Sequence, residues 1–214
     1  LQRQDVLLAP GSAKNGLQGD MTMWMSRQRL EDRMHLLEKV DNLKRALDNG
    51  AADGLGKLQQ QAVDMVLGGI SEAFDLSRED PRTIARYDTA PLIKPNSISK
   101  SWNNHKNYRD HGQTLGKLML MARRLCERGA GFVTVTTNFV WDFHSDKNNA
   151  GAAEGMDYCG VPFDHAVSAF LDDVHERGLS DRILLVCCGE MGRTPKLQKN
   201  GGRNHWGRLA PLML

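Results

Sequence analysis

Ile183-Leu184-Leu185-Val186-Cys187-Cys188 is the longest unbroken apolar run in the chain. Six such residues, followed at once by Gly189, read as a short strand covered on both faces, as in a parallel sheet. Immediately upstream, Phe163, Val167, Phe170, Leu171 and Val174 share one face of a helix expected from Pro162 to Arg177, which Gly178 closes. Further back, Phe132–Thr137 is rich in β-branched residues and reads as a strand. Strand, helix, strand at these lengths predicts a right-handed β-α-β unit, hence an α/β fold with a mostly parallel sheet and flanking helices.

Moving outward, Leu115, Leu118, Ala122 and Leu125 predict a helix capped by Gly129, and the polar stretch from Asn138 to Gly160 reads as a loop. Residues 88–112, with Pro91, Pro95, Asn103, Asn104 and Asn107, read as a loop or linker anchored at Trp102, in which His105 and His111 are expected to be solvated. Residues 1–87 read as a helical segment. Leu30, Met34, Leu37 and Val40 set one helix from Ser26 to about Asp48; Leu55, Leu58, Ala62 and Met65 set a second. Asp80-Pro81 reads as an N-cap followed by proline at the first helical position. The expected organisation is one continuous domain, truncated at both ends, with residues 113–214 as its α/β part. His35, His165 and His175 fall on helices, in solvated or core roles.

Composition narrows the partners. The chain has 214 residues, 40% apolar and 25% charged, and 28 basic against 26 acidic residues leave a net charge of +2. A scattered, near-neutral balance argues against nucleic acid and against anionic membranes bound through bulk charge. No apolar run approaches the length of a membrane span, and no targeting segment opens the chain. Cys126, Cys159, Cys187 and Cys188 include no C-x-x-C pair, and the vicinal Cys187 and Cys188 are expected in the core. The redox compartment stays open.

Ligands of an open parallel sheet bind beyond the carboxyl ends of its strands. Two segments are expected there, Trp141-Asp142-Phe143-His144-Ser145-Asp146 and Gly189-Glu190-Met191-Gly192-Arg193-Thr194-Pro195, with Gly202-Arg203-Asn204-His205-Trp206 able to fold over the same edge. Together they offer Asp142, His144, Glu190 and His205 as ligands for a divalent metal, zinc or the harder manganese, with Asp146 as a spare carboxylate. Arg193 and Arg203 would bind an anion. Blander readings stand beside this one: D-x-H spacing arises by chance, Glu190 can simply pair with Arg193 in a tight turn, and His205 can be a hydrogen-bonded core histidine. Ser145 and Thr194 are the local hydroxyls, and nothing in the sequence marks either as an activated nucleophile.

These strings, with Phe74-Asp-Leu-Ser-Arg-Glu-Asp-Pro upstream and the run from Leu115 to Glu127, resemble domain-of-unknown-function family 1501. That is a bacterial group abundant in planctomycetes and placed near the sulfatases and alkaline phosphatases. The resemblance implies an alkaline-phosphatase-like α/β fold, a metal held by Asp142, His144 and His205, and Glu190 where the superfamily usually places an Asp-His pair for a second metal. Relative to the family's more frequent GEFGRTP and GRDHW, Met191 and Asn204 replace an aromatic residue and an acid. The family's Gly-Gly-Pro-Ser stretch and the sulfatase C-x-[PS]-x-R motif are absent, so the nucleophile is expected to be missing from this chain. The resulting expectation is a fragment of a metal-dependent hydrolase of small sulfate or phosphate esters. The alternatives are a non-catalytic metal- or anion-binding scaffold and a helical docking module. The family's frequent export implies a periplasmic or secreted location; the oligomeric state is open.

Overall fold

The computed structural model describes residues 5–8, 26–45, 70–137 and 141–214. Two long helices organise it. Helices α1 (Arg27–Arg45) and α2 (Pro81–Tyr87) precede α3 (His105–Glu127) and α4 (Ala152–Glu176), which pack along each other. At 1.5 Å per residue, the 23 residues of α3 span about 35 Å. Its apolar positions recur at three and four residues, so Leu115, Leu118, Ala122 and Leu125 lie on one buried stripe. Gly129 ends it at φ 94°, a conformation that a side chain would strain, and Ala130 N–H closes onto Leu125 O. Gly178 ends α4 in the same way at φ 63°. The core seals Leu118, Leu120, Leu125, Ala166 and Phe170 between these helices, the 70–80 segment and strand β2 (Phe132–Val135).

The mostly parallel, alkaline-phosphatase-like sheet expected from the sequence is not what the described residues form. Among the described residues, β1 (Asp5–Leu8) pairs in parallel with β2, from Asp5↔Phe132 to Leu8↔Val135. The remaining strands are two-residue antiparallel pairs: β3 (Cys187–Cys188) with β6 (Leu212–Met213), and β4 (Gly192–Arg193) with β5 (His205–Trp206). Within the Ile183–Cys188 run only Cys187 and Cys188 join a ladder. Ile183, Leu185 and Cys187 turn onto the core, while Leu184 is 74% exposed and Val186 is 48% exposed. The reason is that a continuous apolar run carries no period: it is compatible with two covered faces and equally with one. Here one face is covered. Cys188 accordingly lies exposed rather than in the core.

Other expectations shift as well. Helix α3 begins at His105, inside the stretch read as linker, and α4 begins ten residues before Pro162, inside the stretch read as loop. Pro162 sits buried within α4 rather than opening it. Asp80 caps α2 as its spacing predicts, accepting Arg82 N–H at 2.9 Å ahead of Pro81. Residues 5–8 are strand rather than helix, and the helix expected over residues 54–66 lies outside the described residues.

The 70–80 segment, expected only as part of a helical segment, enters a buried ion network. Arg123 contacts Glu79 at 2.6 Å, Glu127 at 2.6 Å and Asp173 at 2.8 Å. Arg124 contacts the same Glu79 oxygen at 2.8 Å and donates to the carbonyls of Glu72, Ala73 and Asp75. Arg177 reaches Asp173 and Glu79, and Tyr87 donates its hydroxyl to Asp173 at 3.0 Å. Burial alone would raise the Glu79 carboxyl, yet hydrogen bonds from Arg124 and Arg123 outweigh it and hold Glu79 at about 2. Three arginines against three acids leave the network neutral, as buried charge requires.

Candidate metal centre

The site begins where the chain leaves β2. Trp141 donates its indole N–H to Thr137 Oγ1 at 3.0 Å. Phe143 is buried in a second apolar cluster with Ile93, Ile98, Tyr108, Ala150 and Cys159. Its ring lies against Gly155 of α4, where a Cβ would stand 2.2 Å from it, so only glycine admits this contact. Pinning Phe143 inward leaves Asp142 and His144, one residue to either side, half-buried at the surface, each with 24% of its side chain exposed.

The following loop is held from two directions. Asn103 and Asn104, at the start of α3, donate backbone N–H groups to Lys147 O and Asn148 O, and Tyr108 OH accepts Ala150 N–H at 3.0 Å. Asp146 accepts the N–H groups of Asn149 and Asn148, and those bonds hold its carboxyl below the usual range. The spare carboxylate is thus occupied in shaping the loop. Ser145 takes φ 54°, the only non-glycine residue among those described with positive φ, and its hydroxyl donates to Asn200 O at 2.7 Å.

The 200–206 segment closes onto this loop. Asn200 Nδ2 donates to the carbonyls of His144 and Ser145, and Arg203 N–H donates to Phe143 O at 2.9 Å. Between them Gly202 lies so close that a Cβ would sit 2.1 Å from His144 O. The β4–β5 hairpin then sets Arg193 opposite His205. Thr194 Oγ1, the other hydroxyl, donates to Lys196 O and accepts Asn204 N–H.

Three predicted ligands are brought together. His144 Nε2, His205 Nε2 and Asp142 Oδ1 stand 2.9 Å from one another on all three sides of a triangle. No protonation state satisfies that triangle by hydrogen bonding. Each Nε2 carries either one proton or one lone pair, and Oδ1 of an ionised Asp142 offers only lone pairs. If both imidazoles donate to Asp142, the two nitrogens are left 2.9 Å apart with no hydrogen bond between them. If one donates to the other, a lone pair is left facing Oδ1. A cation accepting all three lone pairs makes every contact favourable.

The fourth predicted ligand is elsewhere. Glu190 has 64% of its side chain exposed, and its Oε1 accepts from Arg193 Nη2 at 2.8 Å, the tight-turn pairing that the sequence also allowed. Arg193 itself reaches the cluster. Its Nη1 lies 2.9 Å from Asp142 Oδ1 as an ion pair, but no N–H is directed along that line, and this buried nitrogen has no hydrogen-bond partner. Arg203 contributes its backbone N–H to the crossing strands. The residues that the sequence reading passed over are those that position the ligands: Asn103, Asn104, Gly155, Asn200 and Gly202. Asn200-Gly201-Gly202 is a turn-forming run, but nothing in its sequence signals the contact it makes.

A family profile described as "Protein of unknown function (DUF1501)" matches residues 4–214. The chain belongs to this family. Asp142, His144 and His205, with the loop and hairpin that carry them, all fall within the match. A search of the curated proteins and a search of the solved structures each returned no match. No helix among the described residues is long and apolar enough to cross a membrane.

Proposed function

We propose that this chain binds one divalent metal ion through Asp142, His144 and His205 and, with Arg193 beside them, acts as a metal-dependent hydrolase of small anionic esters. The observation that carries the reading is the convergence of three lone-pair atoms, two imidazole and one carboxylate, at 2.9 Å from each other. Such a mixed nitrogen and oxygen set suits zinc, manganese and their neighbours. A bound ion of this kind supplies Lewis acidity toward an ester oxygen and a water acidified toward neutral pH.

The chain's own residues supply the rest. Arg193 holds a buried Nη1 at the edge of the cluster, ion-paired with Asp142 but with no directed hydrogen bond, where it can bind the anionic oxygens of a sulfate or phosphate group. Ser145 and Thr194 spend their hydroxyl protons on backbone carbonyls, so neither is poised as a nucleophile and water is the attacking group in this reading. The support lies in the site and not in the fold, since the described residues do not form the sheet of the phosphatases. A panel of aryl phosphates and aryl sulfates, assayed with zinc or manganese added, tests it. Metal-dependent turnover that is lost in Arg193→Ala and His144→Ala supports the hydrolase. Metal binding without turnover of any ester overturns the hydrolase and leaves the non-catalytic metal-binding scaffold.

A further inference from the structure

The side lengths of the ligand triangle carry information about the ion itself. Ligands about 2.05 Å from a metal and at right angles to one another stand ~2.9 Å apart, whereas tetrahedral ligands at that bond length stand ~3.3 Å apart. The observed separations are 2.9, 2.9 and 2.9 Å. Resting on the metal-binding reading above, we infer that the three residues form one face of a six-coordinate site rather than three corners of a tetrahedral one. This face leaves three adjacent positions to exchangeable ligands.

Two features of the chain fit that arrangement. The triangle is open to solvent on one flank, with His205 51% exposed, so exchangeable ligands have a route in. Of the other carboxylates the sequence placed here, Glu190 is engaged by Arg193 Nη2 and Asp146 by the N–H groups of Asn148 and Asn149, so neither completes a fourth protein position. Adjacent exchangeable positions accept a chelate, a small anion that offers two oxygens at once. The buried Arg193 Nη1 lies beside Asp142, where it meets the charge of such an anion. The class of ligand selected is therefore an oxygen chelator carrying negative charge, in preference to an anion bound through a single oxygen.

Cobalt(II) substitution reads this directly, because four-coordinate cobalt absorbs visible light intensely and six-coordinate cobalt weakly. The protein, stripped of metal and titrated with cobalt, is expected to show only weak visible bands, and oxalate is expected to perturb them at about tenfold lower concentration than acetate, a difference of about 1.4 kcal/mol. His144→Gln and His205→Gln, each checked for unchanged far-ultraviolet circular dichroism, should lose the bands. Intense four-coordinate bands, or equal effects of oxalate and acetate, would overturn the six-coordinate inference while leaving the metal site standing. Cobalt bound equally by wild type and both variants, or by none of them, would overturn the metal site as well.

Discussion

Gly202→Ala isolates the contact on which the site depends. Gly202 has an ordinary backbone conformation, so alanine costs nothing in φ; the difficulty is steric. Its Cβ would fall 2.1 Å from His144 O and 2.5 Å from His144 C, both atoms of main chain that cannot rotate aside. Restoring an ordinary carbon–oxygen contact requires the 200–206 segment and the Asp142–Ser145 loop to part by about 1 Å, which strains the Asn200 and Arg203 bonds that join them. His205 rides on the first segment and His144 on the second, so the triangle opens by a similar amount. Disturbing groups that orient metal ligands typically lowers affinity 10- to 100-fold, and about that loss is expected here. Isothermal titration with manganese or cobalt measures it. Gly207→Ala is the control, since a Cβ there meets nothing within 4 Å. Unchanged affinity in Gly202→Ala would refute the claim that this crossing sets the geometry.

Glu79 yields a pH prediction. Its carboxyl is held at about 2 against an ordinary 4.5, so the folded state favours ionised Glu79. That contributes about 3 kcal/mol, fully present above pH ~4.5 and lost progressively as pH falls toward 2. Urea unfolding at a series of pH values should show this loss in the wild type and a shallower one in Glu79→Ala. At neutral pH, Glu79→Ala should destabilise by about 3–5 kcal/mol, because it strips a shared partner from two buried arginines. Gly116→Ala, whose Cβ would stand 1.6 Å from Tyr87 O, should destabilise by about 1–3 kcal/mol without altering metal affinity, measured by unfolding and titration side by side. Metal at 100 times its dissociation constant should stabilise the chain by about 2.7 kcal/mol, seen as a rise in melting temperature that a chelator reverses.

What the sequence disclosed follows the range of the interactions involved. The cap at Asp80-Pro81 and the helix ends at Gly129 and Gly178 depend on chemistry within a few residues, and each is where its local signal puts it. The convergence of Asp142, His144 and His205, without Glu190, was legible for a related reason. Asp142 and His144 flank a single buried Phe143, and His205 lies in a short hairpin with Arg193, so few contacts bring them together. The sheet was not legible. Pairing of Ile183–Cys188 depends on which distant elements cover it, and an aperiodic apolar run holds no record of that. Pro162 concealed ten residues of α4, because proline marks a helix start far more often than a helix interior. The network of Glu79, Arg123 and Asp173 was illegible for the same reason: burial of these charges becomes possible only when partners from four segments meet.

The central claim is that Asp142, His144 and His205 hold a metal ion. Metal content of the purified chain, dialysed against manganese or zinc and then against metal-free buffer, tests it most directly when compared with the His144→Ala/His205→Ala double variant. The account predicts one ion per wild-type chain and none in the double variant. Equal content in the two, or none in either, would contradict it.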